Sequence, residues 1–462
     1  MVSQRRPPQP FFETSPRSGG RNLLLITYSF PPDATVGALR WEMMLRHAAK
    51  LGWAADVLLM DPTSSTDCDQ SRVATLPVGT RLFGASLPRS IVAALLQWKR
   101  WWHSHPSILP HLEDRRGLRL PTDRSPQLMR LMRALKRSIL AWDYYSVWGR
   151  WARYVSESGT ILGNTRRYEC IVSSGPPHMA HEAARRTALA LSRPLITDFR
   201  DPWTSEDVEP PWMAGTVWRM LSHRYEKRAV DGSAIIVANT DAAARLMCAK
   251  YPHAAARVIT VMNGADGEPF TACPRELPFT ISYTGGLYGG RYPDTLFRGV
   301  RDAIQRWRLS PSDLVLRFMG VEESQCTALH RLAYREGIAG YFTCEVRRHR
   351  ADAMALLERS AMLVVLPQIH VHSIPAKVFE YVQRRAWLLV LASPGAAVVE
   401  LLRGTSADIV SPDDVVALGD IISQHFQEFR AGVRPMPVNV DSRFSREHQA
   451  SRFFGELERV IR

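Results

Sequence analysis

The sequence predicts an α/β chain of two doubly wound, Rossmann-like domains, and three observations carry that expectation. Apolar runs of four to eight residues alternate with longer helical patterns, the signature of parallel sheets covered by helices. A chain of 462 residues exceeds what one hydrophobic core supports. The same rhythm restarts after a turn-rich stretch, Asn263-Gly-Ala-Asp-Gly-Glu-Pro269 through Pro278, which reads as an interdomain linker.

Residues 1–20 hold Arg and Pro but no apolar h-region, and read as a disordered tail. The first domain is expected over 21–270. Its strands are predicted at Asn22–Tyr28, Ala55–Met60, Cys170–Ser174, Leu195–Phe199, Ala234–Ala238 and Val258–Met262, with helices near 38–51, 127–156, 178–192, 215–230 and 240–250. The second domain is expected over 271–441. Its strands are predicted at Thr280–Thr284, Leu314–Met319, Met362–Leu366 and Leu388–Leu391, with helices near 293–307, 322–336, 351–359, 375–384, 395–403 and 412–430. An amphipathic segment, 442–462, ends the chain as a separate helix.

The composition, 45% hydrophobic and 23% charged, is that of a globular protein, and no apolar run reaches the roughly 18 residues of a membrane span. The six cysteines show no metal-binding spacing and read as reduced, mostly core thiols of a cytosolic protein. The net charge of +14 is uneven: residues 89–154 hold 13 Lys/Arg against 4 Asp/Glu. That helical insert, about 89–156, also holds six of the 13 tryptophans. Basic residues mixed with Trp and Leu fit either an anionic membrane surface or a solvated face with Trp in the core. Arg130, Arg133 and Arg137 are the charges expected to meet such a surface. No zinc-finger spacing, RNP-like strand or basic repeat supports nucleic acid as the partner.

Lys377 and Glu380 stand three apart at a helix start, in Ile374-Pro-Ala-Lys-Val-Phe-Glu-Tyr381, just after an apolar strand. One helix face thus offers a cation for phosphate and a carboxylate for ribose hydroxyls. A surface Lys–Glu pair is the plain alternative. Tyr283-Thr-Gly-Gly-Leu-Tyr-Gly-Gly-Arg-Tyr-Pro293 opens the second domain. Gly285 and Gly286 begin a glycine loop, closed by Arg291, whose composition fits a diphosphate. In the first domain, Gly37 precedes a helix where backbone can approach a ligand closely. His178, in Ser174-Gly-Pro-Pro-His178, begins another helix and reads as a substrate contact or a cap. Asp198, Arg200 and Asp201 follow a strand and read as acceptor-binding residues or a structural ion network. Asp67-Cys-Asp69 matches D-x-D but lacks the strand such a metal site needs.

In their shared order, these segments resemble the family 4 glycosyltransferases, over most of residues 21–462. The motifs are Phe30-Pro-Pro-Asp33…Gly37…Arg40-Trp41, Ser174–His178, Asp198-Phe-Arg-Asp-Pro-Trp203, Val261-Met-Asn-Gly264, Gly285–Arg291 and Lys377–Tyr381. The resemblance implies the GT-B fold, two domains facing across a cleft with the C-terminal helix crossing back. It implies a retaining transferase that uses a nucleotide-diphosphate sugar as donor, with no metal or other cofactor. Arg291 and Lys377 would neutralise the leaving diphosphate, Glu380 would hold the ribose, the Gly37 amide would face the diphosphate, and His178 would lie in the active site. Glu380 matches the second Glu of the family's E-x7-E motif. The first position is His372, so this sequence departs from the pattern where the family's carboxylate faces the donor sugar.

The leading expectation is therefore a glycosyltransferase of a cell-surface polysaccharide or glycolipid pathway, acting on a lipid-linked or saccharide acceptor. It would be cytoplasmic and peripheral at the inner membrane face. The alternative is a non-catalytic GT-B protein that binds a nucleotide-sugar or scaffolds an assembly. A sugar-nucleotide epimerase would need an acid/base pair that the sequence does not nominate.

Overall fold

The computed structural model describes residues 8–17, 19–64, 68–90, 92, 126–205, 213–266, 278–287, 292–366, 371–438 and 444–461. The chain divides into two compact units. One comprises 1–238, 244–259 and 453–462, and the other 239–243 and 260–452.

The first unit is built on an eight-stranded sheet in the order β1-β4-β3-β2-β5-β6-β7-β8. These strands are β1 (Phe12–Glu13), β2 (Arg21–Thr27), β3 (Trp53–Met60), β4 (Thr80–Ala85), β5 (Cys170–Gly175), β6 (Leu195–Phe199), β7 (Ile235–Ala238) and β8 (Val258–Thr260). Pairing is parallel from β4 to β7, and β1 joins β4 antiparallel. The central strands are buried on both faces, which is why they read as continuous apolar runs: Leu23, Leu24, Leu25 and Ile26 are fully buried. The helices are α1 (Val36–Lys50), α2 (Gln70–Ala74), α3 (Pro126–Thr165), α4 (Met179–Leu191), α5 (Thr216–Gly232) and α6 (Asp241–Lys250).

The second unit has a six-stranded parallel sheet in the order β11-β10-β9-β12-β13-β14. Its strands are β9 (Phe279–Thr284), β10 (Leu314–Val321), β11 (Phe342–Val346), β12 (Met362–Val365), β13 (Trp387–Leu391) and β14 (Asp408–Val410). Its helices are α7 (Asp294–Trp307), α8 (Glu323–Arg335), α9 (Arg350–Glu358), α10 (Ala376–Tyr381), α11 (Ala397–Leu402) and α12 (Val415–Arg430). The last helix, α13 (Arg446–Ile461), begins in this unit and ends in the first, where Phe453 packs edge-on against Trp41.

Several expectations are corrected. Within the supposed disordered tail, Phe12 and Glu13 pair with Leu82 and Arg81 of β4, because edge backbone groups seek partners. Cys326 of α8 and Cys344 of β11 form a disulfide, so the six cysteines are not all thiols. The crossover from α8 to β11 brings their Cα atoms to 5.7 Å, a proximity that a separation of 18 residues does not announce. Of the described free cysteines only Cys170 is buried; Cys273 lies outside the described residues. The basic insert resolves in part into α3, where Trp148 and Trp151 are core residues and Trp142 is exposed. Trp98, Trp101 and Trp102 lie outside the described residues, as do Asp67 and most of the linker.

Candidate functional site

Ligands of open parallel sheets lie beyond the carboxyl ends of the strands, where the strand order reverses direction. In the first sheet that point falls between β2 and β5. The segments leaving these two strands carry Gly37 and His178. In the second sheet it falls between β9 and β12, whose following segments carry Gly285 and Lys377. Four of the sequence-nominated residues thus sit at the two switch points.

In the first unit, Gly37 lies in the first turn of α1. A Cβ there would come within 2.9 Å of the Arg200 guanidinium, so glycine is what lets the two segments meet. Arg200 donates from Nη1 to the Gly37 carbonyl, from Nη2 to the Pro176 carbonyl and from Nε to the Gly175 carbonyl. It ties the loops after β2, β5 and β6 together. Asp198 is fully buried and surrounded by donors. It accepts from Arg40 Nε at 3.0 Å and Nη2 at 2.8 Å, from Trp41 Nε1 at 2.7 Å and from Ser174 Oγ at 3.0 Å. Burial pushes its carboxyl up, but the Arg40 charge and bonds, with Trp41 and Arg200, outweigh this and hold it below the usual range. Asp201 adds a further negative charge beside Arg200.

His178 caps α4 and is 8% exposed, stacked on Trp203 at 4.9 Å between ring centroids. His181, one turn on, is fully buried and shares a hydrogen bond of 2.9 Å between Nδ1 and Ser173 Oγ. A Cβ on Gly175 would press on both rings, at 2.9 and 3.0 Å. Burial, then the neighbouring His181 and Arg200, hold the His178 imidazole well below the ordinary range. Burial lowers His181 to about 3, against the opposing pull of Asp198. Both rings are neutral at pH 7, and His181 is a residue the sequence reading passed over.

This neutral pair makes stability pH-dependent. An unfolded histidine titrates near about 6.5, so below that pH the unfolded chain binds more protons. The stabilisation is whole above about pH 6.5 and is lost as pH falls toward the folded value. We expect a loss approaching about 1.4 kcal/mol per pH unit from His181 in that window. Urea unfolding at pH 7.5 and 5.5, compared between wild type and His181→Asn, isolates it. Equal pH sensitivity in both proteins would contradict the assignment.

In the second unit, Gly285 takes φ +102°, a left-handed conformation that favours glycine. Its N–H donates to the Met319 carbonyl at 2.7 Å, and Tyr283 Oη donates to the Gly286 carbonyl at 2.9 Å. Lys377 reaches back from α10 onto this turn. Its Nζ donates to the Thr284 carbonyl and lies 3.7 Å from the centroid of the Tyr283 ring. Tyr381, one turn further along α10, accepts from the Thr284 N–H at 3.0 Å. The ammonium is therefore fixed over the glycine turn by the aromatic face and the carbonyl. Arg291 lies outside the described residues.

Glu380 does not stand alone beside Lys377. Its carboxylate accepts from Arg350 Nη2 at 2.5 Å, at the start of α9. Thirty residues separate the pair, and no sequence pattern marks Arg350. The His372 carbonyl accepts from Thr240 Oγ1 at 2.6 Å, and its side chain is half-buried. Among the described residues no cluster of three or more His, Cys, Asp or Glu is placed to hold a metal ion, and no helix is long and apolar enough to cross a membrane.

Searches by sequence find no matching family model and no matching curated protein. Solved structures do match. Anabaena HepE, crystallised with UDP and glucose, is 12% identical with a TM-score of 0.59, covering 96% of this chain and all of that one. A UDP-forming trehalose-phosphate synthase from Burkholderia xenovorans is 13% identical with a TM-score of 0.57, covering 96% of this chain and 100% of its own. The sucrose-phosphate synthase of Thermosynechococcus elongatus gives 11% and 0.56, covering 95% of this chain and 98% of its own. The chain has the GT-B fold, with two Rossmann-like domains.

Proposed function

We propose that this chain is a glycosyltransferase. It moves a sugar from a nucleotide-diphosphate sugar to an acceptor of a cell-surface polysaccharide or glycolipid pathway, with retention and without a metal ion. The observation that carries the reading is the Lys377 ammonium held over the Gly285 turn at the switch point of the second sheet. A departing diphosphate needs such a fixed cation, because charge develops on it as the bond from the sugar C1 to the phosphate oxygen breaks. Fold neighbours with UDP as ligand or product lend support.

In this reading Lys377 and Arg291 neutralise the diphosphate, and Gly285 and Gly286 let the backbone approach it. Glu380 accepts from the ribose hydroxyls and shares its carboxylate with Arg350. His372 meets a sugar hydroxyl. Gly37 and His178 keep the roles the resemblance implies, an amide for the diphosphate and a neutral imidazole in the reaction. The acceptor hydroxyl attacks C1 on the face the diphosphate leaves, and its proton passes to the departing phosphate oxygen. Asp198, Arg200 and Asp201 shape the first-unit loops instead of binding acceptor, since Asp198 and Arg200 are occupied by protein partners. The protein works at the inner face of an anionic membrane, where a lipid-linked acceptor resides.

A second reading, a non-catalytic nucleotide-sugar-binding protein or scaffold, is favoured by one observation, His372 in place of the family's first Glu. Release of nucleoside diphosphate from a panel of nucleotide-sugars separates the two. The transferase releases diphosphate, faster with acceptor present; binding without release would establish the second reading. Glu380→Ala should raise the donor KM about tenfold with little change in kcat. An unchanged KM would remove Glu380 from the ribose.

A further inference from the structure

The first half of α3 presents an exposed apolar face. Leu128, Leu131, Met132, Leu135, Ile139 and Trp142 are 42–66% exposed along with Met129, an unusual set of large side chains to leave in water. At about 100° per residue, those six fall within an arc of about 100°, a stripe about 21 Å long. The second half of the same helix shows which way the stripe faces. There Ala141, Tyr145, Trp148, Ala152 and Val155 are buried in the core of the first unit. Their arc is centred roughly 130° from the stripe. The stripe therefore continues onto the solvent side of the helix, where Arg150 and Arg153 are exposed.

Charge follows the same geometry. The helix carries six Lys/Arg against two Asp/Glu, and one of those acids, Asp143, is buried and accepts from Ser90 Oγ at 2.6 Å. Lys136, Arg150 and Arg153 border or extend the apolar arc. Arg130, Arg133 and Arg137, nominated from sequence alone, project to the other side, on the arc that is buried further along.

We propose that this face, which includes Leu131, Leu135 and Trp142, with Lys136 beside it and Arg150 and Arg153 beyond its end, docks α3 on an anionic lipid bilayer. The proposal rests on the membrane-surface part of the function above and names the surface. The apolar stripe enters the acyl boundary, while the flanking cations meet lipid phosphates at its edge. The stripe, more than the three arginines on the opposite arc, sets the affinity.

Flotation of the full chain with vesicles tests this, using phosphatidylcholine alone and phosphatidylcholine with phosphatidylglycerol. The chain should float with the anionic vesicles and far less with the neutral ones. Leu131→Gln with Leu135→Gln, both on exposed positions, should cut the bound fraction through a partition coefficient about tenfold lower or more. Arg130→Glu with Arg133→Glu should have the smaller effect. No flotation with anionic vesicles overturns the proposal, whether or not sedimentation then shows a dimer that the leucine variant dissociates. Flotation unchanged in the leucine variant overturns it equally. Nucleotide-induced thermal stabilisation of the same samples reports the donor site independently. A protein that binds nucleotide but no vesicle would lose only this inference.

Discussion

Replacing Lys377 with alanine is expected to weaken nucleoside diphosphate binding by about tenfold to a hundredfold and to leave the fold intact. A charge-assisted hydrogen bond to phosphate is worth about 1.5–3 kcal/mol, which converts to that range. The side chain is half-buried, and its Nζ donates to the Thr284 carbonyl and lies over the Tyr283 face. Gly285 ties the effect to geometry: a Cβ there would stand 3.1 Å from Lys377 Nζ, and φ +102° strains any other residue. Gly285→Ala should therefore lose nucleotide affinity too, with some stability. Titration calorimetry with the preferred diphosphate is the check. Wild-type affinity in Lys377→Ala would return the residue to the surface pair that sequence alone also allows.

Asp198→Ala should be the most destabilising of these substitutions, by about 3–5 kcal/mol. The carboxylate is the shared acceptor for Arg40, Trp41 and Ser174, and its removal takes the carboxylate from beside the Arg40 guanidinium, which is 5% exposed. Urea unfolding measures the loss. A loss under about 1 kcal/mol, with activity abolished, would instead make Asp198 a substrate contact. The two variants separate the two halves of the proposal: Lys377 would act on a ligand, whereas Asp198 would act on the fold that shapes the loops.

Most of the parallel framework was legible because its strands are buried on both faces and so are written as unbroken apolar runs. Leu195–Phe199 was predicted with its observed bounds. Strands at or next to the sheet edge were not: β4, Thr-Arg-Leu-Phe-Gly-Ala, is covered outside only by the two-residue β1, β11, Phe-Thr-Cys-Glu-Val, is an edge, and polar residues interrupt both apolar runs. At the candidate site, the residue types and their places at strand ends were legible from local order. Their partners were not. The Arg40–Asp198 pair spans 158 residues, and the Glu380–Arg350 pair joins two helices through the turn of the chain. The same holds for the face of α3: its amphipathic character is local, but which side the core takes emerges only when Tyr145 and Trp148 pack.

The most direct test of the central claim is thermal stability against a panel of nucleoside diphosphates and nucleotide-sugars, with EDTA present. Ligand that binds the folded state raises the melting temperature by mass action. The account predicts a rise with one nucleoside diphosphate and its sugar, kept in EDTA and lost in Lys377→Ala. No rise with any member of the panel, or a rise that survives loss of Lys377, would contradict it.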